Sequence, residues 1–388
     1  MLAQDLPKSM KAAQGKNYGD IDEMLSVQEG VAVPKLDDEY NPVGKIHPLI
    51  KYATRQDRKT HMIIKTLAVA LAPGDCRVLS GKTKTFQGPP SFPYIPGGDV
   101  AGIVVETAPD ETYFQKGDVV AARFTVAPRD AMAEYARVST SVCEKVSDTK
   151  KISPAAAAAL ASASPAVCVS DHIRPNERVL ILGAGGGVGS HLCQLARYKG
   201  ASYVCGVSRD TKRLLEAPLS CDDAIDYTKE NILDSPTYQK EPFDTIIDLA
   251  AGGTWLHLLE GARQNRPSIV KPASQGGRYI TITPDAPTFE GRSLFALLWM
   301  FLFKPTGRWL WSRLFSRRKM PTFTSAMALP DTREIMTRTL KLAEEGKLQA
   351  VIDGPYPLTT EGVCKAFRTL ESRHPKGKVV VQVADLED

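Results

Sequence analysis

Arg178–Gly200 reads RVLILGAGGGVGSHLCQLARYKG. Its first five residues, Arg178–Leu182, form a short apolar run of the kind that makes a buried parallel strand. Gly183 to Gly189 then supply five glycines among seven residues. From Val188 the period changes, and Val188, Leu192, Leu195 and Ala196 fall on one face of a helix that stops at Gly200. Strand, glycine turn and helix in this order predict a dinucleotide-binding turn. Backbone N–H groups and the helix N-terminus can approach a pyrophosphate there, and the helix dipole favours its negative charge. The competing reading is a tight turn that binds nothing.

The rest of the chain is consistent with a soluble α/β protein. Its 388 residues suggest about two domains, and 43% hydrophobic with 24% charged residues is ordinary globular composition. A net charge of +5, with no basic tract interleaved with aromatics of the RNA-binding kind, gives no case for nucleic acid. Seven cysteines are scattered and contain no CxxC, which argues against a disulfide framework or structural zinc and suits a reducing compartment. The opening MLAQDLPKSMKAAQ has neither an apolar signal core nor transit-peptide character, so a cytoplasmic location is expected.

Before residue 150, strands are predicted at Met10–Gly19, Met62–Ala72, within Phe92–Glu106, at Lys116–Ala122 and at Ala133–Val138, with an irregular insertion at 34–60. Gly/Pro turns at this spacing suggest a compact β-rich domain. Ser153 is placed to cap an alanine-rich helix over Pro154–Ala163. Beyond it the pattern alternates. Strands are expected at 178–182, 203–207, 243–249 and 278–283, and helices near 188–199, 210–217, 254–264 and 331–345. That alternation implies a doubly wound parallel sheet. Gly377–Val383 is one more strand.

The end of the second strand of such a sheet reads the adenosine ribose. Tyr203–Val207 is followed by Ser208-Arg209-Asp210 and then Lys212 and Arg213. A carboxylate at the strand end would favour a 2′-hydroxyl, whereas a neutral serine followed by cations suits a 2′-phosphate, and so NADPH. Two alternatives stay open: Asp210 is a carboxylate that either speaks for a 2′-hydroxyl or simply caps the next helix, and the cations could be an ordinary solvated helix start.

These pieces resemble the medium-chain dehydrogenase/reductase superfamily in its zinc-independent, quinone-oxidoreductase-like branch, and within it reticulon-4-interacting-protein-like oxidoreductases. The markers run from MKAAQGKNYG through APGDCRVLSG, FPYIPGGDVAGIVVE, KGDVVAA, the glycine turn, DDAIDYTKEN, FDTIIDLAAG and GGRYIT to LAEEGKLQAVIDGPYPL and HPKGKVVVQV. The resemblance implies a GroES-like catalytic domain over 10–158, completed by 347–388, and a Rossmann NADPH-binding domain over 159–346, with the active cleft between them. It further implies cofactor contacts from Ala184, Gly186, Gly187, Val188 and Gly189 at the pyrophosphate, and from Ser208, Arg209 and Lys212 at the 2′-phosphate. Tyr227 would lie near the adenine, and Leu249, Ala250, Thr281 and Thr283 along the nicotinamide ribose.

Zinc-dependent relatives draw ligands from three stretches that here read Ala72, Gly97-Gly98-Asp99 and Ala155–Val167. They hold no cysteine or histidine, so no zinc is expected. Without a Lewis acid, an electron-poor acceptor is favoured over a plain alcohol. The expected activity is NADPH-dependent hydride transfer to a quinone or α,β-unsaturated carbonyl (enone, alkenal or enoyl). The alternatives are an NADPH-binding member with weak or no turnover that acts as an interaction or regulatory protein, and a membrane-associated enzyme of lipid or prenylquinone metabolism. No catalytic residue is assigned. Asp75 is read as a turn residue, and Tyr94 as either a hydrogen-bond donor or packing. His172, His191 and His257 are read as structural or solvent-facing.

One stretch stands apart. Residues 293–319, SLFALLWMFLFKPTGRWLWSRLFSRRK, join ten apolar residues, Leu294–Phe303, to interleaved aromatics and cations. The run is too short to span a bilayer. It reads as a helix lying at a membrane surface, the wall of an apolar substrate pocket, or a homodimer interface.

Overall fold

A computed structural model describes residues 6–36, 61–84, 88–89, 91–123, 130–250, 253–283, 295–296, 299–314, 318–326 and 333–386. Most of the expected insertion at 34–60 lies outside these residues. The chain divides into two compact units, one of Met1–Ser164 with Leu329–Asp388 and one of Pro165–Ala328.

The first unit is β-rich. β1 (Ser9–Gly15) and β2 (Leu25–Ala32) form an antiparallel pair. β3 (His61–Ala70) is central to a larger sheet with β4 (Asp99–Thr107), β5 (Val119–Arg123), β6 (Tyr135–Ser139) and β7 (Cys143–Lys145). The nearly unbroken apolar run HMIIKTLAVA is explained by burial on both faces of β3. Gly102 in β4 has to be glycine, because a Cβ there would come within 2.5 Å of the Lys65 carbonyl oxygen. Ser153 accepts from the Ala156 N–H at 3.3 Å at the start of the helix Pro154–Ser170, which carries the chain into the second unit.

His61, at the start of β3, is buried beside Arg137, and its imidazole is pushed down to about 4, by burial first and by the guanidinium second. The folded state therefore resists protonation that the unfolded chain accepts near 6.5. The stability this contributes is complete above that value and is lost as pH falls through about 4. Urea melts of His61→Asn should show a flatter acid limb across this window than the unsubstituted protein.

In the second unit β8 (Arg178–Leu182), β9 (Tyr203–Val207), β10 (Asp223–Ile225), β11 (Thr245–Asp248), β12 (Arg278–Thr281) and β13 (Thr322–Ser325) form one parallel sheet in the order β10-β9-β8-β11-β12-β13. The chain leaves β8 toward β9 and β10, then returns to place β11 on the other side, so the order reverses between β8 and β11. Ligands of open α/β sheets bind at such a switch point, beyond the carboxyl ends of the strands. Register aligns those ends: Leu182 pairs with Val207 and Asp248, and Asp248 pairs with Thr281. The helix Gly189–Tyr198 buries Leu192, Leu195 and Ala196, as its period predicts. Behind β12 and β13, Trp255, Tyr279 and Phe323 form an aromatic cluster, with Trp255 and Phe323 edge-to-face at 4.9 Å.

The doubly wound parallel sheet and the β-rich partner are those read from sequence. β10 and β13 were not expected, nor β14 (Ile352–Pro357) and the helix Thr360–Glu371. β15 (Lys378–Gln382) is the predicted terminal strand. It runs antiparallel to β3, Val381 opposite Val69, and so returns the C-terminus to the first unit's sheet.

Candidate functional site

The glycine turn is built by close backbone approach. Gly183 has φ +82°, and a Cβ there would sit 3.5 Å from Leu249 at the end of β11. At Gly189 a Cβ would land on the Gly183 carbonyl oxygen and 2.7 Å from the Ala184 Cα, so the helix can begin there only without a side chain. Ala184 is fully buried and donates its N–H to the Val207 carbonyl at 3.1 Å. Its methyl group packs toward Gly206, where a Cβ would meet it at 3.1 Å. Gly186, by contrast, faces open space on the side away from Gly183. The turn is therefore packed behind and clear in front, the form of a cradle for an anion at a helix N-terminus. The buried His191 imidazole braces it, with Nδ1 hydrogen-bonded to the Gly187 carbonyl at 2.8 Å.

At the end of β9, Ser208 donates its N–H to the Ile225 carbonyl at 3.0 Å. Its hydroxyl stands where a Cβ on Gly185 would have to go. Ser208 is half-buried beside the turn, whereas Arg209 is exposed. Asp210 caps the helix Thr211–Leu215, accepting from the Arg213 N–H at 3.3 Å, with its other oxygen 3.9 Å from Arg213 Nε. Of the two cations on that helix, Lys212 points outward, its side chain 88% exposed and 3.9 Å from Glu216. Arg213 instead turns in and donates to the Gly185 carbonyl. The sequence reading nominated Lys212 and left Arg213 out. Neighbouring residues on a helix diverge by about 100°, and only the helix phase shows which one reaches the turn.

Tyr227 follows β10 and is 51% exposed, in a turn where Asp226 accepts from the Thr228 N–H and hydroxyl. At the ends of β11 and β12, Asp248 is the organiser that sequence reasoning missed. Its carboxylate accepts from the Tyr279 hydroxyl at 2.6 Å and the Ala250 N–H at 2.9 Å, which shapes the turn bearing Leu249 and Ala250. The Thr281 hydroxyl donates to the Asp248 carbonyl at 3.0 Å and accepts from the Thr283 N–H at 3.1 Å. The strand-end positions nominated from sequence thus share one edge of one sheet.

The three stretches read against zinc ligands meet in the first unit, and what they hold is an ion network. Asp75, fully buried, accepts from the N–H groups of Ala72 at 2.8 Å and Gly97 at 3.3 Å, so its role is the turn geometry expected of it. Asp99 is buried with Arg123 Nε 3.4 Å away, and Arg123 also donates to Ser164 at 3.3 Å. Lys378, on β15, donates to Ser162 at 3.1 Å. Burial pushes its ammonium down to about 8, although the Asp99 and Asp75 carboxylates oppose that shift. Among the described residues, no group of three or more His, Cys, Asp or Glu is arranged to hold a metal. Tyr94 is 2% exposed and belongs to the first unit's core.

Comparison with known proteins agrees with this architecture. A family model described as an alcohol dehydrogenase GroES-like domain matches residues 58–163, and one described as a zinc-binding dehydrogenase matches residues 219–381. The chloroplastic NADPH-dependent alkenal/one oxidoreductase of Arabidopsis thaliana is 28% identical over 386 residues, covering 97% of this chain and 80% of that protein. The mitochondrial NAD(P)H oxidoreductase RTN4IP1 of Bos taurus is 27% identical over 358 residues, 87% of this chain and 83% of its own. The quinone oxidoreductase of Coxiella burnetii shares the fold with a TM-score of 0.68 at 23% identity, across 97% of this chain and 100% of that one. The chain belongs to the medium-chain dehydrogenase/reductase superfamily, in its quinone-oxidoreductase-like branch.

Proposed function

We propose that the protein is an NADPH-dependent oxidoreductase that delivers hydride, without zinc, to a small electrophilic acceptor: a quinone or an α,β-unsaturated carbonyl. The observation that carries this reading is the second strand end, where Ser208 and the inward-turned Arg213 stand against the glycine turn, Arg209 lies exposed beside them, and the Asp210 carboxylate is engaged as a helix cap. That set of a short hydroxyl and guanidinium groups fits a 2′-phosphate. In this reading Ala184, Gly186, Gly187, Val188 and Gly189 hold the pyrophosphate. Ser208, Arg209 and the inward-turned Arg213 hold the 2′-phosphate, the exposed Lys212 named from sequence adds positive charge on the solvent side, and Tyr227 flanks the adenine. Leu249, Ala250, Thr281 and Thr283 line the nicotinamide ribose.

When bound, NADPH supplies the hydride. The chain's own contribution is orientation. The Asp248–Tyr279–Thr281 bonds fix the strand ends, and His191 holds the turn against the helix. The acceptor class follows the names of the relatives, one called an alkenal/one oxidoreductase and others quinone oxidoreductases. We assign acceptor handling to the first compact unit and cofactor binding to the second; the sequence-based division at 10–158 with 347–388 and 159–346 differs from these units at its C-terminal boundary, since the helix Arg333–Glu344 belongs to the first unit. The positions of Ala72, Gly97, Gly98 and Asp99, engaged in backbone and ion-pair contacts, support a site that works without metal.

NADPH consumption against a panel of quinones, alkenals and enoyl thioesters tests the reading. Turnover is expected on at least one acceptor, and Arg209→Ala should raise KM for NADPH by about tenfold while changing KM for NADH little. Tight NADPH binding with no oxidation on any acceptor would instead make the chain a cofactor-binding interaction protein.

A further inference from the structure

The helix Lys304–Leu314, which follows a wider π-type turn at Trp299–Phe303, is oriented against the rule for a helix in water. Three of its polar side chains, Arg308, Ser312 and Arg313, turn toward the protein. Ser312 is fully buried; its hydroxyl accepts from the Phe323 N–H at 3.0 Å and donates to the Trp309 carbonyl at 3.0 Å. Arg313 donates to the Phe323 carbonyl at 3.1 Å, and the Arg308 guanidinium lies 5.6 Å from the centre of the Phe323 ring. The outward side is apolar instead: Trp299 is 55% exposed, Leu302 54%, Phe303 51%, Leu310 48% and Leu314 61%. Most of the exposed large hydrophobic side chains among the described residues lie on this one segment. An apolar face of this extent on a protein surface marks a contact site.

Charge selects what it contacts. Between residues 293 and 319 the sequence carries Lys304, Arg308, Arg313, Arg317, Arg318 and Lys319, and no aspartate or glutamate. Arg308 and Arg313 turn inward, but a second copy docked face to face would still set Lys304, Arg318 and Lys319 against their own equivalents, and the segment itself supplies no carboxylate. An anionic lipid surface offers both what the apolar face and what the cations require. No helix among the described residues is long and apolar enough to cross a membrane, so the segment would lie in the interface plane. We propose that Trp299–Leu314, flanked by Arg318 and Lys319, docks the protein on an anionic bilayer surface. The binding energy would come from burying Leu302, Phe303, Leu310 and Leu314 at the headgroup–acyl boundary, with the cations adding attraction to anionic headgroups.

Flotation of the full chain with phosphatidylcholine vesicles, with and without phosphatidylserine, tests this directly. Three of the four tryptophans lie in the segment and are exposed, whereas Trp255 is buried, so intrinsic fluorescence reports insertion by a blue shift. The protein is expected to float with phosphatidylserine vesicles, to shift blue, and to bind less in high salt. Leu310→Gln/Leu314→Gln alters only exposed side chains. It should keep the parent melting temperature while its vesicle partitioning falls by about tenfold or more. Absence of flotation on phosphatidylserine vesicles overturns the proposal. So does a dimer, seen by sedimentation equilibrium, that the double variant converts to monomer, because a second copy would then cover the face. Neither measurement involves NADPH, so this proposal and the reductase reading fail or stand separately.

Discussion

Gly189→Ala is expected to lower the stability of the second unit by about 3 kcal/mol or more and to remove NADPH binding with it. The added methyl group has nowhere to go. It would meet the Gly183 carbonyl oxygen and the Ala184 Cα and carbonyl carbon, all backbone atoms of the turn itself. Relief requires the helix Gly189–Tyr198 to lift off the end of β8, which opens the anion cradle and strips Leu192 and Leu195 from the core. Gly186→Ala is the informative contrast. There the nearest atom to a new Cβ is the Gly183 carbonyl oxygen at 3.5 Å, an ordinary contact. The fold should survive, and thermal melts should nearly overlay those of the parent. NADPH affinity should nonetheless fall about tenfold, because the methyl group would stand on the open side of the turn, where a pyrophosphate must approach the backbone. If Gly186→Ala binds NADPH as tightly as the parent, the cofactor does not approach the turn from that side.

Asp99→Asn is expected to destabilise the first unit by about 3–5 kcal/mol, or roughly 10 °C in Tm. It would leave the buried Lys378 ammonium and the Arg123 guanidinium with one carboxylate fewer in a site from which water is excluded. Adding Lys378→Met should recover much of the loss, since an uncompensated charge costs more than an apolar chain in the same place. The pH dependence gives a second readout. The folded-state value of Lys378 is held near 8, below the ordinary 10.5, chiefly by burial. The folded protein therefore releases this proton before the unfolded chain does. Stability should rise as pH increases from about 8 toward 10.5 and be forfeited again as pH falls back through 8. Lys378→Met should abolish that rise. If Asp99→Asn melts like the parent, the network is not what secures this part of the sheet.

Much of the fold could be read from local pattern. The glycines between Gly183 and Gly189 are dictated by contacts within the turn, so their meaning is local and survives in the sequence. Long apolar strands such as β3 and β8 announce themselves for the same reason. The unexpected strands are short or polar. β10 has three residues and β13 reads TFTS, and each is a strand only because a neighbour in the parallel sheet supplies its hydrogen bonds. The contacts that local pattern did not reveal are those that depend on helix phase or on sequence distance. Arg213 and Lys212 are equivalent as text and opposite in space. Asp248 acquires its task from Tyr279, 31 positions away, and Lys378 meets Asp99 through a terminal strand that folds back on the first unit. The segment at 293–319 shows the limit from the other side. Its mixture of aromatics and cations was visible, but the inward turn of Arg308, Ser312 and Arg313 was not, and that turn is what leaves its apolar face outward.

In the proposed function, the carboxyl edge of the parallel sheet, from the glycine turn to Ser208 and Arg209, holds the phosphorylated form of the nicotinamide cofactor. Parallel fluorescence titrations of the full chain with NADPH and NADH test this. Saturable NADPH binding at least about tenfold tighter than NADH is expected, with the preference largely erased in Arg209→Ala/Arg213→Ala. Equal or tighter binding of NADH, or no binding of either, would contradict it.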